Sequence, residues 1–369
     1  MLAPSDIAAP LRQLAVTQAN VSVELGEVTA VDLQGRRVSA RTPAGEAVEI
    51  AFDFLVLATG VGPNYFGHDG FAAGAPALKT LTDAEAVRSK ILQAYELAEA
   101  SDDAAERARL MTFVVVGAGP TGVELAASIA QMAHITLRSN FRRINPADTR
   151  ILLIEGAGRV LPTFSGALSA KAARRLGRLG VEMRPGVSVE SVDATGVWAA
   201  GRRIESDTVL WTAGVQASPL IGQLGVETDR AGRAIVGNLL DVPGHPDVFV
   251  IGDAAAVVRD GHPLPGVAQV AIQEGRFVGR LLAARLAGSP FAKDFRYRDR
   301  GNMAVVGKNF AILERGKLQM SGTLTWILWA FIHVMFLPQV QNRLRVQMQW
   351  LWSYATGQRS SRLIPEPRH

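Results

Sequence analysis

The order of apolar and polar positions along the chain predicts alternating strands and helices. Residues 21–33 and 46–58 alternate between apolar and polar side chains, as half-buried strands do. Four short, largely apolar runs are typical of strands buried on both faces of a sheet: 113–116, 151–154, 208–212 and 248–251. Four longer segments have helical spacing: 82–110, 121–138, 169–179 and 267–287. This order predicts an α/β fold with parallel sheets, to which 187–200 adds a meander.

The C-terminal region carries apolar residues in two consecutive patterns. Residues 326–337 are apolar except for His333, and as a helix they extend about 18 Å, well short of the roughly 30 Å core of a bilayer. Pro338 ends this run. The stripe beyond it has helical spacing and consists of Leu344, Met348, Leu351, Trp352 and Ala355.

The charged residues that accompany this stripe are basic, apart from the single acid Glu366. Four of the six tryptophans and five arginines lie in this region: Trp326, Trp329, Trp350, Trp352, Arg343, Arg345, Arg359, Arg362 and Arg368. Tryptophan and arginine on short amphipathic helices are typical of segments that lie in a membrane interface. The alternative is a terminal helix pair that packs on the protein's own body or on a second subunit.

Composition excludes several classes of protein. A length of 369 residues allows two or three domains, and 48% hydrophobic with 20% charged residues excludes disorder. The net charge of +5 is too small to indicate a nucleic-acid partner. The six histidines have no metal-ligand spacing, and the absence of cysteine excludes iron–sulfur clusters and thiol catalysis. Any redox chemistry therefore requires an organic cofactor. Residues 1–12 lack the features of a signal peptide, which predicts a cytosolic start.

The strongest chemical signal is the loop Gly117-Ala118-Gly119-Pro120-Thr121-Gly122, between a predicted strand and a predicted helix. Glycines at this spacing permit a tight turn, close approach of a pyrophosphate, and close packing of helix on strand. The helix N-terminus adds partial positive charge. A chance glycine turn is the alternative, but the strand–turn–helix context favours dinucleotide binding.

Glu155 closes the next predicted strand, where a carboxylate can bind the ribose 2′-hydroxyl of NADH and repel the 2′-phosphate of NADPH. Its distance from Gly122 exceeds the usual gap of about 20 residues, which predicts an extra hairpin or loop at 139–149. A solvent-exposed acid at a strand end is the alternative, and nearby Arg159 leaves tolerance of a phosphate open.

A second pair of strand ends has the character of a cofactor edge. Ala58-Thr59-Gly60 follows one apolar run, and Gly252-Asp253 follows another. An aspartate there can hold a sugar or ribityl hydroxyl, whereas by itself it is more often a helix N-cap. The presence of Ala58-Thr59-Gly60 and of the glycine-rich loop in the same chain favours a ligand-binding role for Asp253 over a helix N-cap.

Together these residues resemble the two-dinucleotide-binding-domain flavoproteins, and most closely the type II NADH:quinone oxidoreductases. The resemblance covers nearly the whole chain. It rests on PSDIAAPLR (4–12), FDFLVLATG (52–60), VVVGAGPTGVELA (114–126), TLRSNFRRINP (136–146), ILLIEGAGRVLPTF (151–164), DTVLWTAGVQASP (207–219), VFVIGDAA (248–255), AQVAIQEG (268–275) and the aromatic tail.

The resemblance implies cofactors, partners and site residues. NADH would bind the loop 117–122, Glu155 and the second nicotinamide-side loop Ala213-Gly214, with Glu124 near the nicotinamide. FAD would contact Ala58, Thr59, Gly60, Gly252 and Asp253. Ala268, Gln269 and Gln273 would lie at the isoalloxazine edge and quinone pocket. Without the resemblance, the sequence favours two exposed positions on the first turn of a helix for these glutamines. No role is predicted for Glu274.

The resemblance also implies a reaction, a location and a domain order. Related thiol-dependent reductases need a redox cysteine, whereas a quinone accepts two electrons without one. We expect FAD-dependent transfer of electrons from NADH to a membrane quinone, without proton pumping, by a peripheral protein on the cytoplasmic face of the cell membrane. It would contact surface lipids, with possible homodimerisation through its C-terminal region. The expected domains are 1–80 (partial FAD-binding), 81–238 (NADH-binding), 239–300 (FAD-binding, continued) and 301–369 (membrane-associated).

Family members begin with another strand–GxGxxG–helix, which binds the FAD adenylate and which this sequence lacks. A start codon further upstream, a degraded gene and a genuine variant all explain the difference, and the intact motifs favour the first. The fold expected is two Rossmann-like domains, the first N-terminally incomplete, followed by a C-terminal amphipathic helical tail. The alternative function is a flavin-free NAD(H)-binding fragment at a membrane surface, without turnover.

Overall fold

A computed structural model describes residues 8–259, 261–337 and 339–356, without the side chains of 353, 355 and 356. Several sequence predictions concern residues outside this range: the first residues of the 4–12 motif, Pro338, the side chain of Ala355, Arg359, Arg362, Glu366 and Arg368. The described helices are α1 (Leu11–Ala15), α2 (Phe71–Gly74), α3 (Leu81–Ala100), α4 (Ala104–Leu110), α5 (Pro120–Gln131), α6 (Gly166–Arg178), α7 (Pro219–Gln223), α8 (Ala268–Leu286), α9 (Thr323–Met335) and α10 (Val340–Thr356).

Many of the described strands are short. The first half of the chain contains β1 (Glu27–Asp32), β2 (Arg37–Arg41), β3 (Ala47–Ala51), β4 (Leu55–Leu57), β5 (Val61–Pro63), β6 (Thr112–Val116), β7 (Arg150–Glu155) and β8 (Val181–Pro185). The second half contains β9 (Val189–Asp193), β10 (Gly196–Ala199), β11 (Arg202–Glu205), β12 (Thr208–Trp211), β13 (Val215–Ala217), β14 (Ala234–Ile235), β15 (Asp241–Val242), β16 (His245–Val250), β17 (Ala255–Ala256), β18 (Val258–Arg259), β19 (His262–Pro263), β20 (Asn302–Val305), β21 (Ala311–Arg315) and β22 (Leu318–Gly322).

The larger of two compact units comprises residues 1–14, 65–214 and 301–369. Its centre is a parallel sheet in the order β12-β6-β7-β8. Every residue of β6 is buried, because this strand lies between two others and helices α3, α5 and α6 contribute side chains to the same core. The predictions of buried parallel strands at 113–116, 151–154 and 208–212 are therefore confirmed.

The helices of this unit begin where local chemistry supports a helix N-terminus. Thr80 and Asp83 form a reciprocal capping box at α3, which satisfies backbone N–H groups that have no partner within the helix. Pro120 occupies the first turn of α5, where its missing N–H costs nothing. Helix α5 gives way to a π-helical turn at Met132–Thr136, so the predicted helix 121–138 is shorter and less regular than expected.

The smaller unit comprises residues 15–64 and 215–300. It contains the antiparallel sheet β1-β2-β3 and a sheet in the order β15-β16-β4, in which β16 and β4 are parallel. The strand predicted at 21–33 is β1, whereas the one predicted at 46–58 is two strands, β3 and β4. Strand β2, between the two predicted ranges, was missed. Only Val38 of β2 is buried, so this strand lacks the strong apolar alternation that identifies a strand from sequence.

The C-terminal part of the larger unit is the antiparallel sheet β20-β21-β22, followed by α9 and α10. Both predicted terminal helices are present. Their inward positions include Thr325, Val334, Asn342 and Val346, each at most 4% exposed. We use the name helix-pair surface for their exposed apolar side chains, which are 44–76% exposed: Leu324, Ile327, Phe331, Met335, Phe336, Val340, Leu344, Met348, Leu351 and Trp352. Within the described ranges, no helix combines the length and hydropathy needed to cross a membrane.

The insertion predicted at 139–149 is a loop with a 3-10 turn at Pro146–Asp148. Glu99 of α3 holds it through hydrogen bonds from the backbone N–H groups of Arg142, Arg143 and Ile144, at 2.8–3.1 Å. Partial burial opposes ionisation of Glu99, but these three amide bonds, with the Arg143 charge, lower its pKa below the usual value.

Replacement of Glu99 by alanine should loosen this loop without unfolding the sheet. We expect the Glu99→Ala variant to exchange the amide hydrogens of Arg142, Arg143 and Ile144 about tenfold faster, because the acceptor that protects them is lost. Hydrogen exchange followed by mass spectrometry measures this change. Exposed Glu96, one turn earlier on α3, gives the control variant Glu96→Ala. Equal exchange in both variants would contradict the assignment.

Candidate functional site

The glycine-rich loop runs from the end of β6 to the start of α5. Gly117 has φ +98°, a conformation that favours glycine, and a Cβ there would lie 2.7 Å from Cα of Ala213. Gly122 is equally restricted, since its Cβ would lie 1.8 Å from the carbonyl oxygen of Gly117. A Cβ on Gly119 would meet nothing within 4 Å, so this residue leaves open space beside the N-terminus of α5. The three glycines therefore serve the turn, the open approach and the close packing that the motif predicts.

The turn after β12 packs directly on this loop. Thr212 donates its hydroxyl hydrogen towards the carbonyl oxygens of Val116 and Gly117, at 2.8 and 2.9 Å. Gly214 follows with φ +68° and is exposed. The structure thus brings Ala213-Gly214 beside 117–122, at the carboxyl ends of neighbouring parallel strands. This is the edge at which ligands bind in open α/β sheets.

Glu155 ends β7 at the same edge, half-buried. Its Oε2 accepts a 2.5 Å hydrogen bond from the N–H of Ala118, and its Oε1 accepts one of 2.8 Å from the N–H of Ala157. The carboxylate is therefore fixed against the glycine-rich loop. Arg159 donates through Nη2 to the carbonyl oxygens of Pro162 and Phe164. Its guanidinium therefore contributes to the shape of its own loop.

Glu124 lies on the second turn of α5 and is partly buried. Its Oε1 accepts a hydrogen bond of 3.0 Å from the backbone N–H of Val305 in β20. Burial raises the pKa of this carboxyl group, and the amide hydrogen bond opposes part of the rise. Glu124 thus links the nucleotide-side helix to the sheet that precedes α9.

In the smaller unit, the residues after β4 and β16 lie side by side. Strand β4 pairs with β16 in parallel, and the N–H of Ile251 donates to the carbonyl oxygen of Leu57 at 3.0 Å. Consequently Ala58-Thr59-Gly60 and Gly252-Asp253 leave the sheet at one edge. Gly60 and Gly252 have φ +64° and +69°, and Asp253 is half-buried in a 3-10 turn. The two strand ends that the sequence singled out therefore lie together, and their role at a cofactor stays a prediction.

Helix α8 begins at Ala268, which is exposed, and carries both predicted glutamines. Their environments differ. The amide of Gln273 is engaged twice by the backbone of Arg298: Nε2 donates to its carbonyl oxygen at 3.1 Å, and Oε1 accepts from its N–H at 3.0 Å. The Oε1 atom of Gln269, in contrast, is buried and has no hydrogen-bond partner among the described residues. A buried acceptor without a donor is costly, so Gln269 is suited to a ligand that supplies one.

Glu274 is the residue that sequence reasoning missed. It is 1% exposed, and its Oε2 accepts a 2.5 Å hydrogen bond from the N–H of Gly252. Burial raises its pKa to about 7, against the effect of the Gly252 amide and together with the charge of Asp253. Glu274 continues the buried stripe of α8, which consists of Val270, Phe277, Val278 and Leu281. In the sequence, the sign of a buried carboxyl group was that Glu274 occupies an apolar position in the helical pattern of 267–287.

Both sites have features that fit a dinucleotide. In the larger unit these are the open space at Gly119, the N-terminus of α5 and the fixed carboxylate of Glu155. In the smaller unit they are the acceptor of Gln269 and the glycines beside Asp253. The described residues of the smaller unit contain no second GxGxxG loop. Nor do His, Asp and Glu side chains cluster as a metal site anywhere in the described chain.

Comparisons with known proteins agree with this geometry. Residues 2–275 match the family described as pyridine nucleotide-disulphide oxidoreductase. A type II NADH:quinone oxidoreductase of Mycobacterium tuberculosis, Ndh, is 40% identical over 99% of this chain and 80% of its own length. A second from that organism, NdhA, is 41% identical over 95% and 76%. A structure of NDH2 from Plasmodium falciparum in complex with NADH superposes with a TM-score of 0.84 at 18% identity, covering 90% of this chain and 84% of that one.

The buried carboxyl of Glu274 should make stability depend on pH. Its pKa in the folded chain is about 7 against an ordinary 4.5, so its favourable contribution is complete below pH 4.5 and is lost as the pH rises through 7. We expect Glu274→Gln, which cannot ionise, to gain up to about 3 kcal/mol relative to wild type between pH 4.5 and pH 8.

Urea denaturation at a series of pH values measures that difference. The exposed Glu227→Gln variant in the same unit controls for loss of one carboxylate. A difference between wild type and Glu274→Gln that does not change with pH would overturn the assignment.

Proposed function

Because the chain belongs to the pyridine nucleotide-disulphide oxidoreductases and, among them, to the type II NADH:quinone oxidoreductases, we propose that it oxidises NADH and reduces a membrane quinone through FAD. The motif resemblance and the predicted α/β class are thereby confirmed. The balanced reaction is NADH + H⁺ + quinone → NAD⁺ + quinol. It moves two electrons and takes one proton from solvent. The observation that carries the proposal is the glycine-rich loop at the carboxyl edge of the larger unit's sheet, packed on Ala213.

On the NADH side, the chain's own residues bind and orient the nucleotide. The space beside Gly119 admits the pyrophosphate, and the N-terminus of α5, whose first available N–H group is that of Thr121, stabilises its negative charge. Glu155 binds the adenosine ribose. Because loop amides hold both of its oxygens, it stays in position to repel a 2′-phosphate, which supports NADH over NADPH. We propose 81–238 as the NADH-binding domain, of which 81–214 belong to the larger unit and 215–238 to the smaller one.

On the FAD side, the residues of the smaller unit are assigned by their shared edge. Ala58, Thr59 and Gly60 approach the cofactor with their backbone, while Asp253 accepts from a ribityl hydroxyl and Gly252 leaves room for it. When bound, the flavin accepts a hydride and returns electrons to a second substrate. We propose 1–80 and 239–300 as the parts of the FAD-binding domain, of which 15–64 and 239–300 belong to the smaller unit.

The two glutamines proposed for the quinone side have different roles, because only Gln273 has its side-chain amide engaged by the described residues of the protein. Gln269 has the unpaired acceptor and, with Ala268, contacts the flavin edge and the quinone headgroup. Gln273 positions the segment around Arg298, which its amide holds from both sides. Glu124 retains its role near the nicotinamide, where a carboxyl of raised pKa can hold a proton.

The helix-pair surface supports a peripheral membrane location. Large apolar side chains face outward from α9 and α10, where a helix pair that faces water carries polar ones, and the inward positions include polar Thr325 and Asn342 beside Val334 and Val346. Trp329 and Trp350 stack with ring centroids 5.7 Å apart. We propose that residues 301–369 bind lipids on the cytoplasmic face of the cell membrane, where NADH is available. Dimerisation of two copies through this surface is the competing outcome, which sedimentation of the lipid-free protein measures.

The visible spectrum of the purified full chain tests whether it binds FAD and reduces it with NADH. We expect an absorption band at about 450 nm that NADH bleaches and that a soluble quinone analogue restores. A colourless protein that still binds NADH would instead support the flavin-free, NAD(H)-binding alternative. A protein that binds neither cofactor would contradict both.

Substitution of Gly119 separates binding from folding. The Gly119→Ala variant should keep wild-type stability within about 0.5 kcal/mol, because its methyl group meets no atom within 4 Å. The methyl group occupies the space proposed for the pyrophosphate, so we expect NADH affinity to fall at least about tenfold. Titration calorimetry and thermal unfolding measure the two effects. Gly70→Ala, also in open space, is the control. Wild-type affinity in Gly119→Ala would exclude this loop as the NADH site.

A further inference from the structure

Helix α1 exposes apolar residues that the function proposed above does not use. Leu11 is 69% exposed and Leu14 is 51% exposed, and none of its residues is buried. A helix of five residues is too short to be stable by itself in water. Its conformation therefore depends on what it contacts.

A hydrogen bond joins this helix to the residue that precedes α10. The Nε2 atom of Gln339 donates to Oε1 of Gln13 at 2.9 Å, across 326 positions of sequence. Gln339 immediately precedes α10, whose first apolar residues, Val340 and Leu344, are 66% and 60% exposed and belong to the helix-pair surface. Residues 11–14 of α1 thus lie beside the start of α10, within the same compact unit.

The charges on these elements have one sign. Residues 8–15 and 323–356 contain three arginines, Arg12, Arg343 and Arg345, and no aspartate or glutamate. Side chains of Arg12 and Arg345 are exposed, as are the leucines next to them in sequence. Exposed leucine flanked by arginine, without acids, matches a bilayer surface in which acyl chains lie beneath anionic headgroups.

We infer that α1 is part of the membrane-contacting surface, with Leu11 and Leu14 among the acyl chains and Arg12 at anionic headgroups. The membrane is then contacted by both ends of the described chain, and the Gln13–Gln339 hydrogen bond holds the two parts together. This inference rests on the proposed membrane location of α9 and α10. The occupant is a lipid bilayer; a second copy of the chain is an outcome that the test distinguishes.

Site-specific labelling tests the inference without disturbing the fold. Since the chain has no cysteine, Leu14→Cys, Leu344→Cys and Leu97→Cys each provide a single site for an environment-sensitive fluorophore. Leu344 reports on α10. Leu97 of α3, 50% exposed, is the match for Leu14. We expect the Leu14 and Leu344 probes to shift to the blue with vesicles of phosphatidylcholine and phosphatidylglycerol, while the Leu97 probe does not.

The other outcomes are distinct. A shift at Leu344, with Leu14 unchanged like Leu97, overturns the inference and leaves the membrane role of α9 and α10 intact. No shift at either Leu14 or Leu344 removes the proposed membrane location, and the inference with it. A blue-shifted Leu14 probe in lipid-free protein that elutes as a dimer identifies a second copy as the occupant, and also overturns the inference.

An affinity measurement provides the second test. The double variant Leu11→Gln/Leu14→Gln should bind the same vesicles about tenfold more weakly, because less apolar surface leaves water. Leu97→Gln should bind like wild type. Thermal unfolding should be nearly the same in all three proteins, since these side chains are exposed. Wild-type vesicle affinity in the double variant would overturn the inference.

Discussion

The contact between the two turns that leave β6 and β12 constrains the larger unit. Gly117 lies so close to Ala213 that a side chain at position 117 would collide with the turn after β12. The hydroxyl of Thr212 joins the two turns through hydrogen bonds to the carbonyl oxygens of Val116 and Gly117. Gly122 then packs α5 against the carbonyl oxygen of Gly117. As a result, the helix begins at the sheet edge, and its N-terminus faces the space where the NADH pyrophosphate is proposed to bind.

Three glutamates hold backbone amides in and around the candidate site. Glu155 binds the N–H groups of Ala118 and Ala157, while Glu124 and Glu274 accept from Val305 and Gly252. A carboxylate is a stronger acceptor than a neutral group, which suits it to fixing a loop. Burial of Glu124 and Glu274 raises their pKa values, so these two also hold protons more readily than surface acids. Glu124 and Glu274 thus both hold a backbone segment in position and bind a proton more tightly than an exposed carboxyl group does.

The helix pair carries large apolar side chains on its exposed face. Thr325 and Asn342 are buried, whereas Phe331, Leu344 and Trp352 are 60–65% exposed. Neither helix is long enough and apolar enough to cross a bilayer. A surface of this kind loses apolar contact with water only when another apolar phase covers it. This physical requirement underlies both the membrane proposal and its extension to α1.

The sequence by itself determined the buried strands, the glycine-rich loop and the terminal helices, because each depends on neighbouring residues: apolar runs, glycine spacing and helical periodicity. It also identified the two strand ends, 58–60 and 252–253. Only the tertiary structure decided how equivalent-looking residues differ. Gln273 is engaged by Arg298 while Gln269 is not, and Glu274 is buried against Gly252. Strand β2 likewise depends on pairing with β1 and β3, since little of it is buried. Partners distant in sequence set these properties, and a local pattern carries no information about them.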